Sequence, residues 1–121
     1  MKDSLLRVKS FAFALRTIKL QRYLIESRRE FTLSKQVLRS GTSIGANIEE
    51  SIHAQSTADF IHKLSIAQKE ACETNYWLRL LKESDIINAK LAESLVSDCE
   101  ELQRMLAATI TTSKRRLDAK Y

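Results

Sequence analysis

The sequence predicts an all-α protein, an antiparallel up-down-up-down four-helix bundle occupying residues 1–121 as one domain. Three observations predict it. Glycine occurs twice and proline never in 121 residues, where an average chain of this length carries about 8 Gly and about 6 Pro. Apolar residues recur at alternating spacings of three and four through four long segments, which is the period of an amphipathic helix. The breaks between those segments are short, so consecutive helices fold back on one another. The same shortage of glycine excludes most loop-built chemistry: there is no Walker loop, no G-x-G-x-x-G turn and no G-x-S-x-G elbow.

The first helix is predicted over residues 4–27. Leu5, Val8, Ala12, Leu15, Ile18 and Ile25 share one face, and Leu6, Phe13, Leu20 and Leu24 share a second. A helix apolar on two faces needs more than one partner. A small bundle covers one of them, so the other predicts a second subunit. Ser27-Arg28-Arg29-Glu30 breaks the pattern, and Thr32 is the expected N-cap of a second helix over 32–54. Its main stripe is Leu33, Val37, Ser40, Ile44, Asn47 and Ser51, beside Leu38, Gly41, Gly45, Ile48 and Ile52. Each helical glycine costs about 1 kcal/mol relative to alanine. Close approach of another helix across Gly41, Ser43, Gly45 and Ala46 would offset that cost; a ligand bound to the bared backbone is the alternative.

Ser56 or Thr57 is expected to cap the third helix, over 57–84, with Asp59 placed to complement its dipole. Phe60, Leu64, Ala67, Ala71, Thr74, Leu78 and Leu81 form an unbroken 4-3 stripe along it. After the loop Asp85–Asn88, a fourth helix over 89–113 carries Leu91, Leu95, Cys99, Leu102, Leu106 and Ile110. A basic tail, 114–121, follows. Reflection about the loops sets Cys72 level with Cys99, as two small core residues rather than a disulfide. It sets Arg39 level with Cys72 and within reach of Glu70 and Glu73. Arg39, Asn47, Glu50, Glu70 and Glu73 are the expected structural polar cluster.

Twenty Lys and Arg against fifteen Asp and Glu give a net charge of +5. The imbalance is uneven. Residues 1–40 carry ten basic and three acidic side chains, residues 41–113 six and eleven, and residues 114–121 four and one. A basic end beside an acidic middle points to a polyanion partner or to self-association of unlike surfaces, with a merely solvated basic surface as the plain alternative. The candidate nucleic-acid contacts are Arg7 and Lys9 grouped with Lys114, Arg115 and Arg116, and a second patch of Arg28, Arg29 and Lys35 at the far end. Uncharged runs reach only nine residues, Ser40–Ile48 and Met105–Ser113, against about 18–20 for a membrane span. Met1–Ser10 is charged and lacks the apolar core of a signal peptide. The expectation is a cytoplasmic protein with reduced thiols and no membrane partner.

Enzymatic readings find little footing. A bundle di-iron centre needs two Glu-x-x-His pairs. Glu50-Ser51-Ile52-His53 supplies one, and the other histidine, His62, has Asp59 three before it. No metal and no cofactor are expected. Glu70 and Glu73 share a helix face, but no nucleophile or phosphate loop accompanies them. Tyr76-Trp77 offers a base-stacking pair, although leucines flank it at packing positions.

The run Leu33-Ser34-Lys35-Gln36-Val37-Leu38-Arg39-Ser40-Gly41-Thr42-Ser43-Ile44-Gly45-Ala46-Asn47-Ile48-Glu49-Glu50 resembles the signature of the bacterial four-helix-bundle proteins named for 23S rRNA intervening sequences. Asp59-Phe60-Ile61-His62-Lys63-Leu64 and Lys69-Glu70-Ala71-Cys72-Glu73-Thr74-Asn75-Tyr76-Trp77-Leu78 are similar to it as well, and so is the ending Thr112-Ser113-Lys114-Arg115-Arg116. The resemblance implies a bundle assembling as a homopentamer, without catalytic activity. The accessory variability protein of diversity-generating retroelements is similar in fold; it is a basic pentameric partner of a reverse transcriptase and nucleic acid. This implies RNA or DNA, or a nucleic-acid-processing protein, as partner. Asn75, Gln68 and Ser51 depart from the usual Glu, Leu and Ala or Gly, and the missing carboxylate at Asn75 weakens a catalytic reading of the Glu70–Glu73 row. The expected function is a non-enzymatic basic oligomer that binds nucleic acid through phosphates, the alternative an interaction scaffold or accessory subunit.

Overall fold

Ser4 opens the first helix by accepting a hydrogen bond from the Arg7 amide at 3.2 Å. In the computed structural model, which describes residues 4–120 (the side chain of Lys120 excepted), four helices follow one another: α1 (Leu5–Glu26), α2 (Leu33–Ile52), α3 (Thr57–Glu83) and α4 (Ala89–Lys120). No strand occurs among the described residues. Ser56 caps α3 through the Asp59 amide at 3.1 Å, and Asn88 caps α4 through the Leu91 amide at 2.8 Å. Each side chain satisfies an amide that the helix itself leaves without a partner. Thr32 does not cap α2 with its side chain; the Glu30 carboxylate accepts from the Ser34 amide instead, at 2.9 Å. The expected basic tail is also corrected. The fourth helix runs past residue 113 to Lys120, because no glycine or proline follows Ser113. Lys, Arg, Leu and Ala are good helix formers, and cations suit a helix C-terminus.

The core is one cluster, drawn from all four helices and including Phe13, Leu24, Ile44, Ile48, Leu64, Leu78, Leu95, Leu102 and Leu106. Burying each large side chain contributes about 1.5–3 kcal/mol. Consecutive helices pack side by side, and α4 closes more lightly on α1. The α1–α4 contact is bridged by ion pairs: Lys9 with Glu101 at 2.9 Å and Arg16 with Asp98 at 2.7 Å.

Of the two apolar faces of α1, only Leu6, Phe13, Leu20 and Leu24 enter the core. Leu5, Val8 and Leu15 remain exposed, joined by Phe11 at 68%. Cys72 corrects an expectation too. It is exposed while Cys99 is buried, and both thiols are free. Level heights do not fix rotation: Cys72 stands one position beyond the buried Ala71 and so turns outward by a helical step.

Candidate functional site

The contact between α1 and α2 is set by one glycine. A β-carbon at Gly41 would overlap the Thr17 side chain, whereas one at Gly45 would stand 3.5 Å from Ser10, an ordinary contact. The close approach therefore centres on Gly41. Gly45 tolerates it, Ala46 is exposed, and Ser43 is half-buried away from the contact, accepting from Asn47 Nδ2 through its carbonyl at 2.9 Å.

On the opposite flank of α2 a polar seam runs against α3. The Arg39 guanidinium bonds Glu70 at 3.2 Å and also bonds Glu73. Glu73 accepts from the Trp77 indole at 2.9 Å as well. These two bonds, the indole first, hold the Glu73 carboxyl below the ordinary glutamate value, and Arg39 is raised in turn, chiefly by its bond to Glu73. Glu50 pairs with Lys63 at 2.9 Å. Beneath the seam the Thr74 and Ser40 hydroxyls, both buried, hydrogen-bond at 2.9 Å. The cluster is satisfied internally and open to water, which makes it a fastening between helices. Among the described residues no group of three His, Cys, Asp or Glu is placed to hold a metal ion.

The candidate nucleic-acid residues divide into two kinds. Arg7 clamps Glu49 with two hydrogen bonds of 2.9 Å, which lower the Glu49 carboxyl, and Lys9 holds Glu101. A phosphate approaching either of them would have to displace a carboxylate. Sequence pattern misses these pairings because they join residues 42 and 92 positions apart. Arg28 reaches the Asp85 carbonyl at 3.4 Å, Arg29 lies over the Phe31 ring with φ 53°, and Lys35 is exposed. At the other end of the molecule Lys114, Arg115 and Arg116 are exposed on α4, with no ion pair among the described residues. Arg116 and Ser113 line a hollow with Ser4 and Leu6, so the end of α4 returns beside the start of α1. The signal for that hollow was present in the sequence: Ser113 is a hydroxyl seven residues past Leu106 on the core stripe.

The 23S rRNA-intervening sequence protein family matches residues 2–108. The chain belongs to this family. The basic turns from Lys114 onward lie beyond the matched residues. A crystal structure of a protein of unknown function from the S23 ribosomal protein family of Bacteroides thetaiotaomicron VPI-5482 is similar, with 49% identity and a TM-score of 0.87; the match covers 88% of this chain and 98% of that one. No curated protein matches the chain. No helix among the described residues is long and apolar enough to cross a membrane.

Proposed function

We propose that this protein is a non-enzymatic, basic oligomer that binds RNA or DNA through phosphate contacts. The observation that carries the reading is the end of α4. Three consecutive cations stand there exposed and, among the described residues, without carboxylate partners, while Arg7, Lys9, Arg16, Arg39 and Lys63 are engaged. Consecutive residues on a helix lie 100° apart, so Lys114, Arg115 and Arg116 fan out toward a broad polyanion. Arg28, Arg29 and Lys35 offer a weaker second patch. Membership of a family named for 23S rRNA intervening sequences agrees with a nucleic-acid partner.

The proposed assembly is an antiparallel bundle repeated in a ring of five, sealed through the exposed α1 face of Leu5, Val8, Phe11 and Leu15. A ring multiplies each weak patch by avidity. We place its work in the cytoplasm, where the two free thiols fit. The α1 face also favours a second reading, an interaction scaffold or accessory subunit of a nucleic-acid-processing protein.

Fluorescence anisotropy with RNA and DNA probes across a salt series tests the first reading. Tight binding with a steep salt dependence is expected. Replacing Lys114, Arg115 and Arg116 by Gln lowers the log–log slope by about 0.9 for each lost phosphate contact on duplex. Absence of binding at low salt overturns the reading in favour of the protein partner.

A further inference from the structure

Two adjoining hollows of about 370 Å³ each share Phe60, Ser113 and Arg116. One is bordered by Ser4 and Leu6 at the start of α1, the other by Ser56 and Thr57 at the start of α3 and by Ser51 and Ile52 at the end of α2, whose carbonyl end offsets part of the positive charge. Two helix N-termini thus meet one cleft, each presenting first-turn amides and about half a positive charge. Among the described residues no acidic side chain lines either hollow. The nearest carboxylate on α3, Asp59, is turned back to the cap, where it accepts from the Gln55 amide at 3.2 Å.

Ser113 marks the cleft independently of the helix ends. It is 8% exposed, yet its hydroxyl has no hydrogen-bond partner among the described residues. Helical hydroxyls normally donate back one turn, as Thr109 does to the Met105 carbonyl at 2.9 Å and Ser65 to the Ile61 carbonyl at 2.8 Å. Ser113 stands in the wall that both hollows share, and its hydroxyl is open to them. Arg116, one turn further along α4, stands over the same place.

We infer that this cleft seats a phosphate group of a nucleic-acid strand. Arg116 supplies charge and paired N–H donors, Ser113 a hydroxyl donor from the floor, and the first turns of α1 and α3 their amides. The inference rests on the nucleic-acid reading only for the source of the phosphate; the cleft itself is tested separately.

Inorganic phosphate is titrated at fixed ionic strength against chloride, following the amide resonances of Ser56, Thr57, Ala58 and Ser113. Saturating shifts confined to these residues are expected. Arg116→Gln weakens the affinity about tenfold and Ser113→Ala about fivefold, with helicity by circular dichroism unchanged. Shifts that equal those of chloride, or equal affinity in both variants, overturn the site. A short RNA is then added to the phosphate-saturated protein and is expected to displace the ion. Saturable phosphate that RNA does not displace overturns the nucleic-acid occupant. Steeply salt-dependent RNA binding without any phosphate site overturns the cleft and leaves the nucleic-acid reading standing.

Discussion

Thr17 on α1 stands where a β-carbon on Gly41 of α2 would have to go: Thr17 Cβ would lie 3.0 Å from it, with Cγ2 nearer still and Oγ1 at 3.2 Å. Thr17 Cβ does not move when its side chain rotates, so no rotamer makes the contact ordinary and the helices must give way by a few tenths of an ångström. Gly41→Ala is expected to destabilise by about 1–3 kcal/mol, as overpacking does. Gly45→Ala, with ordinary contact only, is expected to be neutral or to gain up to about 1 kcal/mol of helix propensity. Urea denaturation of the two variants checks this. Equal losses in both would remove Thr17 as the cause.

Glu73 is held low by the Trp77 indole and then by Arg39. Its folded value lies below its unfolded one, so its stabilising effect is fully present above the ordinary glutamate range, about pH 4.3. It is lost as pH falls through the depressed value. Half-exposed pairs contribute little, below about 1 kcal/mol, so the sharper readout is spectroscopic. Trp77 is the sole tryptophan, and its emission is expected to titrate with a midpoint below that of a free glutamate. Arg39→Met should move the midpoint up. A midpoint that stays in place would show that Arg39 does not hold Glu73, and stability unchanged or raised in that variant would show that the pair does not bind α2 to α3.

The two cysteines should react differently. Cys72 is exposed, while Cys99 is fully buried and burial pushes its thiol up to about 12. The thiolate is the reactive form. One equivalent of a thiol reagent is expected to react at pH 8 in the folded protein, and the second only after denaturation. Mass spectrometry of the Cys72→Ser variant, which should stay unlabelled until unfolded, checks the assignment.

Val8→Lys combined with Leu15→Lys is expected to reduce the native mass to one chain while preserving helicity. Both side chains are exposed in the single chain, Val8 at 60% and Leu15 at 49%, and exposed substitutions usually change stability by less than about 0.5 kcal/mol. Light scattering on the sized protein reads the mass. A wild-type mass of one chain would sink the assembly, and an unchanged mass in the variant would move the interface off α1.

The sequence by itself determined the number of helices, the location of their breaks and most of the core. The 4-3 stripe of α3 from Leu64 to Leu81 is buried as its periodicity requires, because burial of one helix face leaves a period in the sequence whatever it packs against. Reflection about the loops brought Arg39 to the level of Glu70 and Glu73, since loop position alone sets height in consecutive helices. Rotation and partnership were decided only in the tertiary structure. Two apolar faces on α1 look alike in sequence, and only packing shows that Phe13 goes inward and Phe11 stays out. Arg7, Lys9 and Arg116 are equally basic as letters. Long side chains choose partners by the offset between helices distant in sequence, so Arg7 finds Glu49, Lys9 finds Glu101, and Arg116 is left facing an open cleft.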